Sequence, residues 1–174
     1  MSALWGLVGL VVLQRLGELL YARHNTRRLL AAGGVEVGAA HYPLIVALHA
    51  AWLLSLLLLV PADRPPAWPL LLLFLALQLG RLWILISLGR FWTTRIITLP
   101  DSPLVRRGPY RYLRHPNYLL VSAEIALLPM VFGAWPIALA FTFANAALLA
   151  YRIRVEDAAL ALRSARSDAA AGPP

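Results

Sequence analysis

The chain has 174 residues, 60% of them hydrophobic, with 16 arginines, no lysine, no cysteine and a net charge of +8. An apolar share this far above the ~45–50% of soluble domains argues against a soluble globule, and the missing thiols exclude disulfides and thiolate-metal sites. Its histidines, His24, His41, His49 and His115, show no ligand spacing, so no metal is expected.

Apolar runs of about twenty residues or slightly fewer can cross a hydrocarbon core of ~30 Å, and five are present: Ala3–Tyr21, Tyr42–Val60, Trp68–Leu88, Tyr118–Phe132 and Pro136–Tyr151. The expected fold is therefore all-α: a polytopic integral membrane helical bundle of about five transmembrane helices, forming a single domain over residues 1–174. Residues 1–90 read as membrane-embedding helices and residues 91–166 as a catalytic half. The first run is not expected to be a signal peptide, because it lacks a basic start and Gln14, Arg15 and Glu18 interrupt it.

After that run, Arg23–Ala32 has apolar and basic residues at near-helical spacing and stops at Gly33-Gly34, which predicts a separate helix lying on the membrane surface. Pro61, Pro65, Pro66 and Pro69 predict a tight turn between the second and third spans. Phe91–Leu99, rich in Thr and Ile, predicts an extended segment before Pro100 and Pro103. Beyond Arg166 the residues turn small, and the end is expected to fray.

Arginines cluster in alternate connections. Arg23, Arg27 and Arg28 follow the first span, Arg90, Arg95, Arg106, Arg107, Arg111 and Arg114 follow the third, and Arg152, Arg154, Arg163 and Arg166 follow the fifth. The intervening connections hold only Asp63 with Arg64, or the uncharged Gly133-Ala-Trp-Pro136. By the positive-inside rule this puts the N-terminus outside and the C-terminus in the cytoplasm. The charge is thus explained by topology, and no nucleic acid is expected as a partner.

Polar residues within the spans are expensive and face protein or a water-filled cavity. Arg15 and Glu18 predict a local i,i+3 ion pair near the headgroups, and Gln78 and Arg81 repeat the spacing as a brace. Glu124 lies nine residues beyond His115 without an obvious local cation, so it is paired, protonated or functional. On the last span Asn145, Arg152 and Glu156, spaced by seven and four, share one helical face. A guanidinium there can hold a carboxylate with two hydrogen bonds.

The densest chemistry is the run Gly108-Pro-Tyr-Arg-Tyr-Leu-Arg-His-Pro-Asn-Tyr118, which ends where the fourth span begins. Tyr110, Tyr112 and Tyr118 offer ring faces to an aromatic ring or a cation. His115 precedes a helix start that suits an anion, and Pro116 suits the first turn. Gly108 lets the chain bend where a side chain would block a ligand.

This run resembles the Arg-His-Pro-x-Tyr signature of the isoprenylcysteine carboxyl methyltransferase family, in which Gly-Pro-Tyr commonly precedes the motif. The likeness continues through two helices to Arg152 with Glu156 and Asp157, and covers about Phe91–Asp157. Leu120 stands where a small residue, often Gly, is common. The resemblance implies S-adenosyl-L-methionine as cofactor, held by Gly108, Pro109, Tyr110, Arg114, His115, Pro116, Asn117 and Tyr118. Arg152, Glu156, Glu124 and Asn145 are then the candidate catalytic residues.

A carboxylate acceptor needs only Arg152 to hold it. A phenol or enol must lose a proton, and Glu156, His115 or Glu124 is then the candidate base. The expected partners are a lipophilic small molecule from the bilayer, such as a long-chain alkyl pyrone or resorcinol, and the membrane lipids. A bacterial inner membrane with the site facing the cytoplasm is the expected location. Two rival classes stay open: a membrane reductase using a nicotinamide cofactor, and a non-catalytic scaffold or small transporter.

Overall fold

The computed structural model describes residues 2–99 and 105–171. Five helices carry the chain: α1 (Ala3–Ala31), α2 (Tyr42–Leu59), α3 (Trp68–Leu88), α4 (Pro116–Val131) and α5 (Trp135–Ala171). The protein is a polytopic helical membrane protein: α1, α2, α3 and α5 are long and apolar enough to cross a bilayer. At 16 residues α4 spans only about 24 Å. It packs between α3 and α5, with Leu120, Ile125, Leu128 and Val131 buried.

α1 differs from expectation. No separate surface helix occurs at Arg23–Ala32; the helix runs unbroken for 29 residues, about 43 Å. No Gly or Pro interrupts Tyr21–Ala31, and Asn25 anchors the stretch by donating from Nδ2 to the carbonyls of Gly89 (3.1 Å) and Trp92 (2.9 Å). The helix does stop at Gly33-Gly34, whose N–H groups donate to the carbonyls of Leu30 and Leu29.

The all-α reading gains one addition. β1 (Val35–Val37) and β2 (Ile96–Thr98) pair antiparallel, with Glu36 opposite Ile97. The extended segment expected at Phe91–Leu99 is thus a strand only at Ile96–Thr98, while Phe91 closes a 3-10 turn from Gly89. The prolines expected to end it, Pro100 and Pro103, lie outside the described residues. Helix α5 continues to Ala171, past the point where fraying was expected after Arg166.

Two features lock the bundle. Leu4, Val8, Trp52, Leu56, Phe74 and Leu128 form an apolar core near the end where α2 meets α3. Across α1, α3 and α4 runs a cluster of four charges. Glu124 accepts Arg81 Nε at 2.9 Å, Gln78 Nε2 at 3.0 Å and Arg15 Nη2 at 2.6 Å, and it also meets Arg81 Nη2. Glu18 accepts Arg15 Nη1 at 2.9 Å and Arg81 Nη1 at 3.2 Å.

The cluster corrects one expectation and decides another. Arg15 and Glu18 are not merely a local pair near the headgroups, and of the readings open for Glu124 the structure shows it paired, with cations supplied by other helices. Sequence spacing along one helix cannot show such partners. Two arginines against two glutamates leave no net charge, which makes burial tolerable inside a membrane.

Helix α3 also meets α4 where Leu120 replaces the small residue common in the motif. A Cβ on Gly80 would lie 3.0 Å from Leu120 Cδ1, so the bulk of Leu120 is accommodated by a glycine on the facing helix.

Candidate functional site

The site lies at the end of the bundle where the arginine-rich connections meet. His115 is the N-cap of α4, and Pro116 opens the helix with its fixed φ. The His115 ring stacks on Tyr118 at 5.2 Å between centroids and 13° between planes. This stack follows from helical spacing, since the N-cap and the third helical residue lie on one side of the first turn.

The Tyr118 hydroxyl joins α4 to α5. It donates to the Glu156 carboxylate and accepts from Arg152 Nε at 2.8 Å. Arg152 Nη2 donates to the Thr94 carbonyl at 2.9 Å, and its guanidinium carbon lies 5.6 Å from the Tyr118 ring centre. Arg152 is only 7% exposed, so these contacts fix a guanidinium that water would otherwise leave mobile. His115 Nδ1 lies 3.8 Å from Glu156 and Nε2 lies 3.6 Å from Asp157.

Positive and negative groups therefore stand side by side at a half-open mouth. Tyr110 borders it. Burial, and then the nearby Glu156 carboxylate, push its phenol well above the ordinary value, so Tyr110 remains a hydrogen-bond donor throughout the neutral range. Asn117 Oδ1 is buried without a hydrogen-bond partner among the described residues, which leaves an acceptor next to His115 for something else to fill.

The structure brings His115, Tyr118, Arg152, Glu156 and Tyr110 together and leaves other candidates apart. Glu124 belongs to the charge cluster, about 13 Å farther along α4 than His115. Asn145 is buried and donates to Ser122 Oγ at 3.0 Å, so it ties α5 to α4 two turns below Arg152. Arg114 is exposed and makes no hydrogen bond or ion pair among the described residues. Tyr112 is 75% exposed and sits beside Arg111, away from the stacked pair.

The helix start is less available to an anion than expected. The N–H groups of Tyr118 and Leu119 both donate to the His115 carbonyl, and Pro116 has no N–H. Gly108 also has a different role. Its φ is +56°, and an added Cβ would meet Ser87 Oγ at 2.0 Å, so it packs the motif onto α3 rather than clearing space for a ligand. Pro109 is buried in the same turn. Gly108→Ala is expected to cost at least about 1–2 kcal/mol from the left-handed backbone alone. A detergent melting midpoint equal to the parent's would refute this packing role.

Sequence reasoning missed Thr94 and the 35–42 segment as neighbours of the site. A signal for the last was present: Val35-Glu-Val37, bounded by Gly34 and Gly38, alternates like a short strand.

The sequence pattern of the isoprenylcysteine carboxyl methyltransferase family matches residues 70–162. The uncharacterized protein YpbQ of Bacillus subtilis (strain 168) is 39% identical over 160 residues, covering 90% of this chain and 95% of that protein. An uncharacterized Haemophilus influenzae protein is 26% identical over 144 residues, covering 79% and 83% respectively. No solved structure matches the chain.

Proposed function

Since the chain belongs to the isoprenylcysteine carboxyl methyltransferase family and is thus a membrane methyltransferase, we propose that it moves a methyl group from S-adenosylmethionine to an oxygen of a bilayer-dissolved lipophile. The observation that carries this reading is the meeting of His115, Tyr118, Arg152 and Glu156 at one mouth of a membrane bundle.

The residues present fit the cofactor. Its zwitterionic end needs a hydrogen-bond acceptor and a carboxylate for the amine, and Asn117 Oδ1, Glu156 and Asp157 are at hand. When bound, S-adenosylmethionine supplies a methyl group made electrophilic by the sulfonium. His115, Asn117 and Tyr110 would hold it, and the carboxylates of Glu156 and Asp157 would favour the sulfonium cation over the neutral thioether product.

Arg152, fixed on two sides, would orient the acceptor oxygen, and such positioning can supply several kcal/mol of the barrier. The two carboxylates beside His115 repel an anionic acceptor, which favours a neutral phenol or enol over a carboxylate. Such a group must lose a proton, for a model phenol has a pKa of about 10. Glu156, between His115 and Tyr118, is the base best placed to take it. A long-chain alkyl pyrone or resorcinol has this chemistry, with a tail that the lipid-facing helices can accommodate.

The basic last turns of α1, the basic connection after α3 and the basic stretch of α5 from Arg152 lie at the site's end of the bundle, which supports a cytoplasmic mouth and an external N-terminus. Both relatives come from bacteria, which supports a bacterial cytoplasmic membrane as the location.

Calorimetric titration with S-adenosylhomocysteine in detergent tests the reading. Micromolar binding is expected, and loss of it in His115→Ala. Folded protein that binds a reduced nicotinamide dinucleotide instead would move the chain to reductase chemistry.

A further inference from the structure

The segment at residues 35–42 lies outside the part of the chain that the family pattern covers, yet it abuts the site. Gly38 has φ +67°, and an added Cβ would lie 2.7 Å from His41 Cε1 and 2.8 Å from Val155 Cγ1 on α5. The buried His41 ring meets Tyr151 edge-on at 5.5 Å. Tyr151 and Val155 flank Arg152 along α5, so the segment is pressed against the helix at the level of that guanidinium.

From the same segment a chain of polar contacts reaches Arg152. Glu36 on β1 accepts Arg95 Nη1 at 2.5 Å. The Arg95 guanidinium carbon lies 4.4 Å over the Tyr42 ring, and the Tyr42 and Thr94 hydroxyls are 3.2 Å apart. Thr93 Oγ1 donates to the Arg95 carbonyl at 2.6 Å and sets the bend of the strand's entry. The residue held between these contacts, Thr94, presents its carbonyl to Arg152 Nη2 at 2.9 Å. Pairing of β1 with β2 in the register Glu36 to Ile97 keeps the two ends of this chain together.

We propose that Tyr42 and the Glu36–Arg95 pair are positioning residues: through Thr94 they set the plane of the Arg152 guanidinium and so complete the site from the N-terminal half. The consequence for catalysis rests on the methyltransferase reading, while the positional link does not. The division into an embedding residues 1–90 and a catalytic residues 91–166 is then redrawn, with 35–42 on the catalytic side. A planar guanidinium binds in a fixed fork, so a tilt of its plane misaims every remaining N–H. Tyr118 alone, holding one nitrogen, leaves rotation about that bond free.

The test uses Tyr42→Phe, which keeps the ring under Arg95 but removes the hydroxyl, and Glu36→Gln. The full chain is labelled with 15N-arginine in detergent, and the Arg152 Nε–Hε resonance is assigned by its absence in Arg152→Lys. Both variants are expected to broaden or shift that resonance and to speed its exchange with water about tenfold, with the melting midpoint and S-adenosylhomocysteine affinity unchanged. With 5-pentadecylresorcinol as the probe acceptor, kcat is expected to fall about tenfold while KM for S-adenosylmethionine holds. An Arg152 resonance identical to the parent's in both variants would overturn the inference. A parent that fails to bind S-adenosylhomocysteine would overturn the methyltransferase reading instead, and leaves the resonance result to decide the positional link.

Discussion

Glu124→Leu is expected to destabilise the protein by about 3–5 kcal/mol, the usual cost of stranding a buried charge by removing its partner. Glu124 accepts from Arg15, Arg81 and Gln78, and the Arg81 side chain is only 2% exposed, so its guanidinium cannot escape to water. The double variant Glu124→Leu with Arg81→Leu should recover most of the loss. It leaves Arg15 and Glu18 as a neutral pair three residues apart on α1, and apolar residues of similar bulk replace the pair at no large cost. Thermal unfolding in detergent, followed by circular dichroism for the three proteins, checks both halves. A single variant as stable as the parent would show that the cluster does not fasten the bundle. A double variant no better than the single would show that packing, and not charge balance, is what Glu124 provides.

The second large effect is expected at Arg152→Lys. The substitution keeps the charge but not the fork, and one ammonium cannot reproduce both the bond to Tyr118 and the bond to Thr94. Hydrogen bonds to charged groups are worth about 1.5–3 kcal/mol each, so losing the alignment should lower kcat/KM for methyl transfer by about a hundredfold. S-adenosylhomocysteine affinity should change by less than about fivefold, because Arg152 is assigned to the acceptor and not to the cofactor. Radiolabelled methyl transfer and calorimetry on the same preparation separate the two. A loss confined to cofactor affinity would reassign Arg152 to the cofactor.

Much of the site was legible in the chain because it is local. His115 and Tyr118 are three residues apart, and Arg152 and Glu156 are four apart, so helical periodicity alone puts each pair on one side of its helix. The helices were legible for a similar reason: a run of apolar residues long enough to cross a bilayer has few alternatives to helix there, since every backbone N–H and C=O must be satisfied within the segment. The surface helix at Arg23–Ala32 was misread because polarity changes at Tyr21 while helical structure does not. Charge marks where the membrane ends, whereas helix ends answer to breakers such as Gly33-Gly34.

The amino-acid sequence by itself thus determined the membrane class, the family, the apolar helices and the local pairs of the candidate site. Which helix faces which was decided by tertiary structure. Glu124 looks isolated along α4 and is instead tied to α1 and α3, and Asn145 looks aligned with Arg152 yet is engaged by Ser122. The β1–β2 pairing brings Glu36 and Tyr42 to Thr94 across more than fifty residues of chain. The physical reason is the same in each case. Periodicity constrains neighbours within one turn or one strand, while contacts between distant segments depend on the packing of whole helices, which no local pattern encodes.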